Sequence, residues 1–106
     1  MWEHFVLNEI MTQLQTRDVL YWRDKRGHEV DFVLAKSRTK PAAIECKWTS
    51  ASFDPANLQA FRRQYPEGDN IVLASDAARP FKRHHGDLLV RYETLRSFSH
   101  ELRRLR

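Results

Sequence analysis

The chain has 106 residues, of which 42% are hydrophobic, 11% aromatic and 30% charged, with a formal net charge of +4. That length suits one domain with one modest core, and that apolar content excludes a disordered chain. No run reaches the roughly 18 apolar residues of a membrane helix, so no membrane partner is expected, while the basic balance suits a polyanionic one.

Trp2, Phe5, Val6, Leu7, Ile10, Met11 and Leu14 recur at helical spacing and predict a helix over residues 2 to 15. It begins at once, with acids where a secretory leader would carry bases, and reads as part of a larger chain. Cys46 is the single cysteine, so no internal disulfide can form, and a reducing, cytoplasmic interior is the expected setting. Residues 18 to 24 are aromatic and branched and predict a strand. Residues 25 to 27 form a turn in which Gly27 permits a positive φ, and residues 28 to 36 predict the second strand of a hairpin. After a polar turn at 37 to 40, Pro41 opens a third strand ending at Trp48.

Asp54 and Pro55 signal a helix start, with Phe53 placed to pack on Leu58 and a stop before Pro66. Residues 70 to 74 read as a buried strand, 75 to 86 as a basic loop, 87 to 91 as a strand, and Glu93 onwards as a helix with an arginine-rich, mobile end. The expected architecture is one α/β domain over residues 1–106, a mixed sheet in the order α-β-β-β-α-β with a β-α tail.

Charges on such strands need an explanation. Alternation puts Glu45 and Lys47 on one face of the third strand, with Ile44, Cys46 and Trp48 on the other. On the second strand Asp31, Val33 and Ala35 share a face opposite His28, Val30, Phe32 and Leu34. A turn centred near residue 38 sets Asp31 beside Glu45, fourteen positions later. Adjacent carboxylates repel unless a cation sits between them, and a hard divalent ion suits oxygen donors. Lys47, two residues from Glu45, could then steady an attacking hydroxide or phosphate charge. The plainer alternative is an ion pair on a solvent-exposed sheet face, worth about 0–1 kcal/mol.

Asp31 followed by Glu45-Cys46-Lys47 on a hairpin, after a helix bearing Glu9, resembles the PD-(D/E)XK nuclease superfamily. The stretch GHEVDFVLAKSRTKPAAIECKW is similar to Holliday junction resolvases and restriction-endonuclease-like domains. The wider chain, from WEHFVLNEI through ECKW, FRRQYP, ASD and RPF, resembles more closely a domain of unknown function at the C-terminus of prokaryotic AAA-type ATPases. The resemblance implies a restriction-endonuclease-like fold and a Mg²⁺- or Mn²⁺-dependent DNA endonuclease, with a homodimer and an ATPase module on the same or a partner chain as expected associations. It further implies that Asp31, Glu45 and the Cys46 carbonyl ligate metal, that Lys47 orients or activates water, and that Glu9 completes the catalytic and metal set. Val30 stands where many members have proline, and no glutamine–tyrosine motif is evident, since Gln59 and Tyr65 are wrongly spaced. A non-catalytic module that binds nucleic acid or protein is the alternative function.

Gln59, Arg62, Arg63, Lys82 and Arg83 are the expected nucleic-acid-binding residues, although Arg62 and Arg63, on the outer side of the second helix, equally fit a solvated face. His84 and His85 diverge as neighbours and make a poor metal pair. Cys46 reads as a small core residue, and Trp2, Trp22 and Trp48 as core or interface aromatics. None of the three glycines precedes Lys-Ser/Thr, so the chain carries no Walker-type phosphate loop.

Overall fold

The computed structural model describes residue 5 and residues 19–34, 39–76 and 78–104; for residues 99 and 101–104 it describes the backbone alone. Apart from Phe5, the expected first helix, with Trp2 and Glu9, lies outside the described residues, as do residues 37 and 38 of the expected turn, Arg106 and the side chains of Arg103 and Arg104. The elements are β1 (Val19–Arg23), β2 (Glu29–Leu34), β3 (Ala42–Lys47), a 3₁₀ turn (Ser50–Ser52), α1 (Ala56–Gln64), β4 (Asn70–Ala74), β5 (Phe81–His85), β6 (Leu88–Glu93) and α2 (Leu95–Arg104).

The strands form one mixed six-stranded sheet in the order β1-β2-β3-β4-β6-β5. The β1, β2 and β3 strands are an antiparallel meander. The β3, β4 and β6 strands run parallel, because α1 and then β5 carry the chain back between them. Alternation along the strands supplies two cores. Phe32, Leu34, Ile44, Cys46, Ile71 and Leu73 pack with Phe98 of α2. Val33, Ala43, Val72, Val90 and Tyr92 pack with Leu58 and Phe61 of α1 on the other face. Phe53 and Leu58 share that second cluster, as the staple requires, and Asp54 Oδ1 accepts the Ala56 N–H at 3.0 Å.

The expected loop over 75 to 86 is corrected: Phe81–His85 is an edge strand antiparallel to β6. Its Lys82, Arg83 and His84 are exposed and show no apolar period, because an edge strand can present charge to water on a side that would be buried inside a sheet. Phe81 anchors it by stacking on Tyr92 at 4.5 Å, and Gly86, at φ +63°, closes the hairpin. The last helix starts two residues later than Glu93. Thr94 Oγ1 accepts the Ser97 N–H while Ser97 Oγ accepts the Thr94 N–H, each at 3.0 Å, a reciprocal cap.

Candidate functional site

The hairpin register places the acids. Phe32 pairs with Ile44 and Val33 with Ala43, so the next step brings Asp31 opposite Glu45. The regular ladder stops at that step, and carboxylates take over from backbone carbonyls. Asp31 Oδ2 accepts the Cys46 N–H at 2.8 Å, and Glu45 Oε1 accepts the Asp31 N–H at 3.2 Å. A β-bulge lies at the same point. Leu20 pairs with Val33 but Trp22 with Val30, so Asp31 and Phe32 together face Tyr21. The bulge rephases β2: Val30, expected with Phe32 and Leu34, packs instead in the α1-side cluster with Val33.

Glu45 is 1% exposed, which excludes the solvent-exposed ion pair as an account of these charges. The Lys47 Nζ lies 4.0 Å from Glu45 Oε2 and its side chain is 31% exposed, so the ammonium links a buried carboxylate to solvent. Burial first, then the Asp31 charge, pushes the Glu45 carboxyl up to about 7, against the opposing influence of Lys47, the Asp31 N–H and a hydrogen bond from Asn57. Lys47 C=O accepts from Ser75 N at 3.2 Å and so faces β4. Peptide groups alternate edges along a strand, so the N–H and C=O of Cys46 both face β2, beside Asp31. Its thiol is buried in the opposite, α2-side core, as a small core residue should be.

The donors gathered in this gap are two carboxylates and a strand carbonyl, all hard oxygens of the kind Mg²⁺ or Mn²⁺ takes. Among the described residues no group of three or more His, Cys, Asp or Glu side chains is assembled; Asp31 and Glu45 make a pair.

Asn57 is a site residue that the sequence reading missed. Its Oδ1 accepts the Glu29 N–H at 3.3 Å, and its side chain is one of the influences that lower the Glu45 carboxyl against burial. Gln59, expected among the nucleic-acid contacts, is exposed, as is Arg63. Two helical positions are about 200° apart, so 57 and 59 face opposite ways. The available signal was that Asn57 shares a helix face with the buried Ala60 and Phe61.

Arg62 is a second correction, because it is not on the outer side of α1. It lies one turn after Leu58 and is 7% exposed. Its Nε donates to Asn70 Oδ1 at 2.7 Å, and its two terminal nitrogens donate to the carbonyls of Tyr65, Glu67, Pro41 and Asp69 at 2.7–3.1 Å. Burial lowers its pKa to about 10, with Asp69 opposing. Arg62 therefore clamps the α1–β4 connection to the start of β3. Lys82 is exposed, and the exposed Arg83 lays its guanidinium over the rings of Phe81 and Tyr92 at 5.5 and 5.8 Å. Trp48 is 62% exposed just past Lys47, not a core aromatic, whereas Trp22 meets Phe61 edge-on at 5.3 Å and donates to Gln64.

Fold and site together define an α/β domain with a mixed six-stranded sheet and, at the mouth of its central hairpin, an acid pair of which Glu45 is buried and Asp31 half-buried. Residues 1–95 match the family model of the domain of unknown function DUF4143, and the chain belongs to that family. No curated protein and no solved structure matched the chain. Among the described residues no helix is long and apolar enough to cross a membrane.

Proposed function

We propose that the chain is a metal-dependent phosphodiester hydrolase acting on DNA, with the restriction-endonuclease-like arrangement of PD-(D/E)XK nucleases. The observation that carries the reading is the convergence of Asp31 and Glu45 from neighbouring strands with Lys47 Nζ 4.0 Å from Glu45. Asp31, Glu45 and the Cys46 carbonyl would hold Mg²⁺ or Mn²⁺, and Glu9 would join them from the first helix. When bound, the ion would neutralise charge that develops at the phosphate. Lys47 would orient the water that attacks phosphorus in line; the P–O bond to the leaving oxygen breaks, the attacking water gives up a proton to solvent, and the leaving oxygen takes one from solvent. Lys82, Arg83, Arg63 and Gln59 are exposed, so they remain the proposed contacts to the DNA backbone. Association with an AAA-type ATPase module, and a homodimer, belong to the same proposal.

The second reading is a non-catalytic module that binds nucleic acid or protein. It is favoured by the two-acid count among the described residues. Supercoiled, branched and single-stranded DNA incubated with Mg²⁺ or Mn²⁺ decides between them. Cleavage that disappears in Asp31→Asn and Lys47→Ala supports the hydrolase. Binding without cleavage, unchanged by either substitution, supports the module, and cleavage that survives both points to a contaminant.

A further inference from the structure

We infer that Arg83 is a phosphate anchor for DNA, held in place by a platform of two stacked rings, Phe81 and Tyr92. This deepens the nucleic-acid part of the reading above and rests on it. The platform is built from the core outward. Tyr92 is 1% exposed and packs in the α1-side cluster. Its hydroxyl is hydrogen-bonded to His85 Nε2 at 2.7 Å, and Phe53 meets its ring edge-on at 6.0 Å. Phe81 stacks on that ring with centres 4.5 Å apart and planes 5° from parallel. Strand alternation then returns Arg83 to the side that Phe81 occupies, and its guanidinium lies over both rings. A ring face attracts a guanidinium but offers it no lone pair, so the N–H donors stay available to an anion. Among the described residues no acid pairs with Arg83, whereas Arg23, Lys47 and Arg91 meet Glu29, Glu45 and Asp69.

Register separates Arg83 from its neighbour. Arg83 pairs with Val90, which belongs to the α1-side cluster. Lys82 pairs with Arg91, and Arg91 with Ile71, which belongs to the α2-side cluster. Glu45 pairs with Val72 of the α1-side cluster, so Arg83 shares a side of the sheet with Glu45, and Lys82 takes the other. Glu45, Val72, Tyr92 and Phe81 form one cross-strand row, which sets the platform about 14 Å from Glu45, three strand spacings away. An arginine that moves freely must give up rotamer freedom when it grips a phosphate. The rings have already taken that freedom from Arg83, and its planar fork matches two phosphate oxygens at once. Lys82, exposed on the far side, adds only diffuse charge.

Titration of a short fluorescent DNA duplex at several salt concentrations tests the inference, with Ca²⁺ as a hard ion that oxygen donors take up. The proteins are wild type, Arg83→Ala, Arg83→Lys, Phe81→Leu and Lys82→Ala, each compared per folded molecule. Arg83→Ala is expected to weaken binding about tenfold near 0.1 M salt and to flatten the salt dependence by roughly one phosphate contact. Arg83→Lys keeps the charge and the slope but loses the fork, and should still bind several-fold more weakly. Phe81→Leu removes the platform without touching a charge, and should weaken binding with the slope kept. Should Phe81→Leu fail to fold, Arg83→Lys carries the test alone. Lys82→Ala should stay within about twofold of wild type, because salt screens an exposed charge that makes no contact. Equal losses for Arg83→Ala and Lys82→Ala, or wild-type binding by Arg83→Lys, would show attraction to net charge alone and overturn the inference while DNA binding stands. Wild type that binds no DNA removes the nucleic-acid reading itself, and the inference with it.

Discussion

Asp31 and Glu45 each cap the other's strand: Asp31 Oδ2 accepts the N–H of Cys46 at 2.8 Å, and Glu45 Oε1 accepts the N–H of Asp31 at 3.2 Å. Both carboxylates thus have a structural duty besides the proposed catalytic one, and substitutions separate the two. Asn at position 31 retains an oxygen for the Cys46 N–H and removes one of two neighbouring charges. We expect Asp31→Asn to unfold at the same urea concentration as wild type or a higher one without metal. Asp31→Ala leaves that amide unsatisfied and should cost about 1–2 kcal/mol. Both should lose Mn²⁺ binding. An alanine variant more stable than the asparagine variant would contradict the cap.

The burial of Glu45 predicts a pH dependence of stability. Its carboxyl is raised from 4.5 to about 7, so the folded chain holds this proton more tightly than the unfolded chain does. The associated stability is fully present below the unfolded value and declines as pH rises through the folded one, levelling off above about 7. The size is on the order of 3 kcal/mol, because each tenfold gain in proton affinity is worth about 1.4 kcal/mol. Urea unfolding in EDTA at pH 5 and pH 8 measures it. Glu45→Gln should flatten the slope; a variant that keeps the wild-type slope would assign the dependence to another group.

Arg62 makes five hydrogen bonds from a buried position, four of them to backbone carbonyls. Arg62→Ala leaves those acceptors without their donor and should destabilise by about 3 kcal/mol or more. Lysine cannot reproduce the planar fork and should recover little. DNA affinity per folded molecule is expected to be unchanged, and a selective loss of binding at full stability would restore Arg62 to the nucleic-acid surface.

Gly68 sits beside that clamp at φ +133°, where an added Cβ would lie 2.2 Å from the Pro41 carbonyl oxygen and 2.9 Å from an Arg62 terminal nitrogen. Both the backbone conformation and the space exclude a side chain. Gly68→Ala should destabilise by about 2 kcal/mol or more. Gly27→Ala, at φ +90° with no atom within 4 Å of the added carbon, should cost less. Equal melting temperatures for the two variants would remove the steric part of the argument.

The sequence by itself determined what short-range chemistry controls. Strand alternation sorted Ile44 and Cys46 to one core and Glu45 and Lys47 to the other face, and the spacing of Asp31 from Glu45 set them opposite each other across a turn. The Asp54-Pro55 start and the buried run at 70 to 74 were equally legible. Tertiary structure decided the rest, because those features depend on partners distant along the chain. The polar run at Lys82–His85 becomes a strand only because β6 offers it an edge. Val30 changes faces because β1 forces a bulge into β2. Arg62 is buried because Pro41 and Asp69, 21 and 7 residues away, present carbonyls that it satisfies. Asn57 meets the Glu29 N–H because α1 crosses that face of the sheet, and no pattern within the helix records what lies beneath it. Hydrophobic period fixes which side of an element is turned inward; the hydrogen-bond partners waiting there are chosen only when the elements meet.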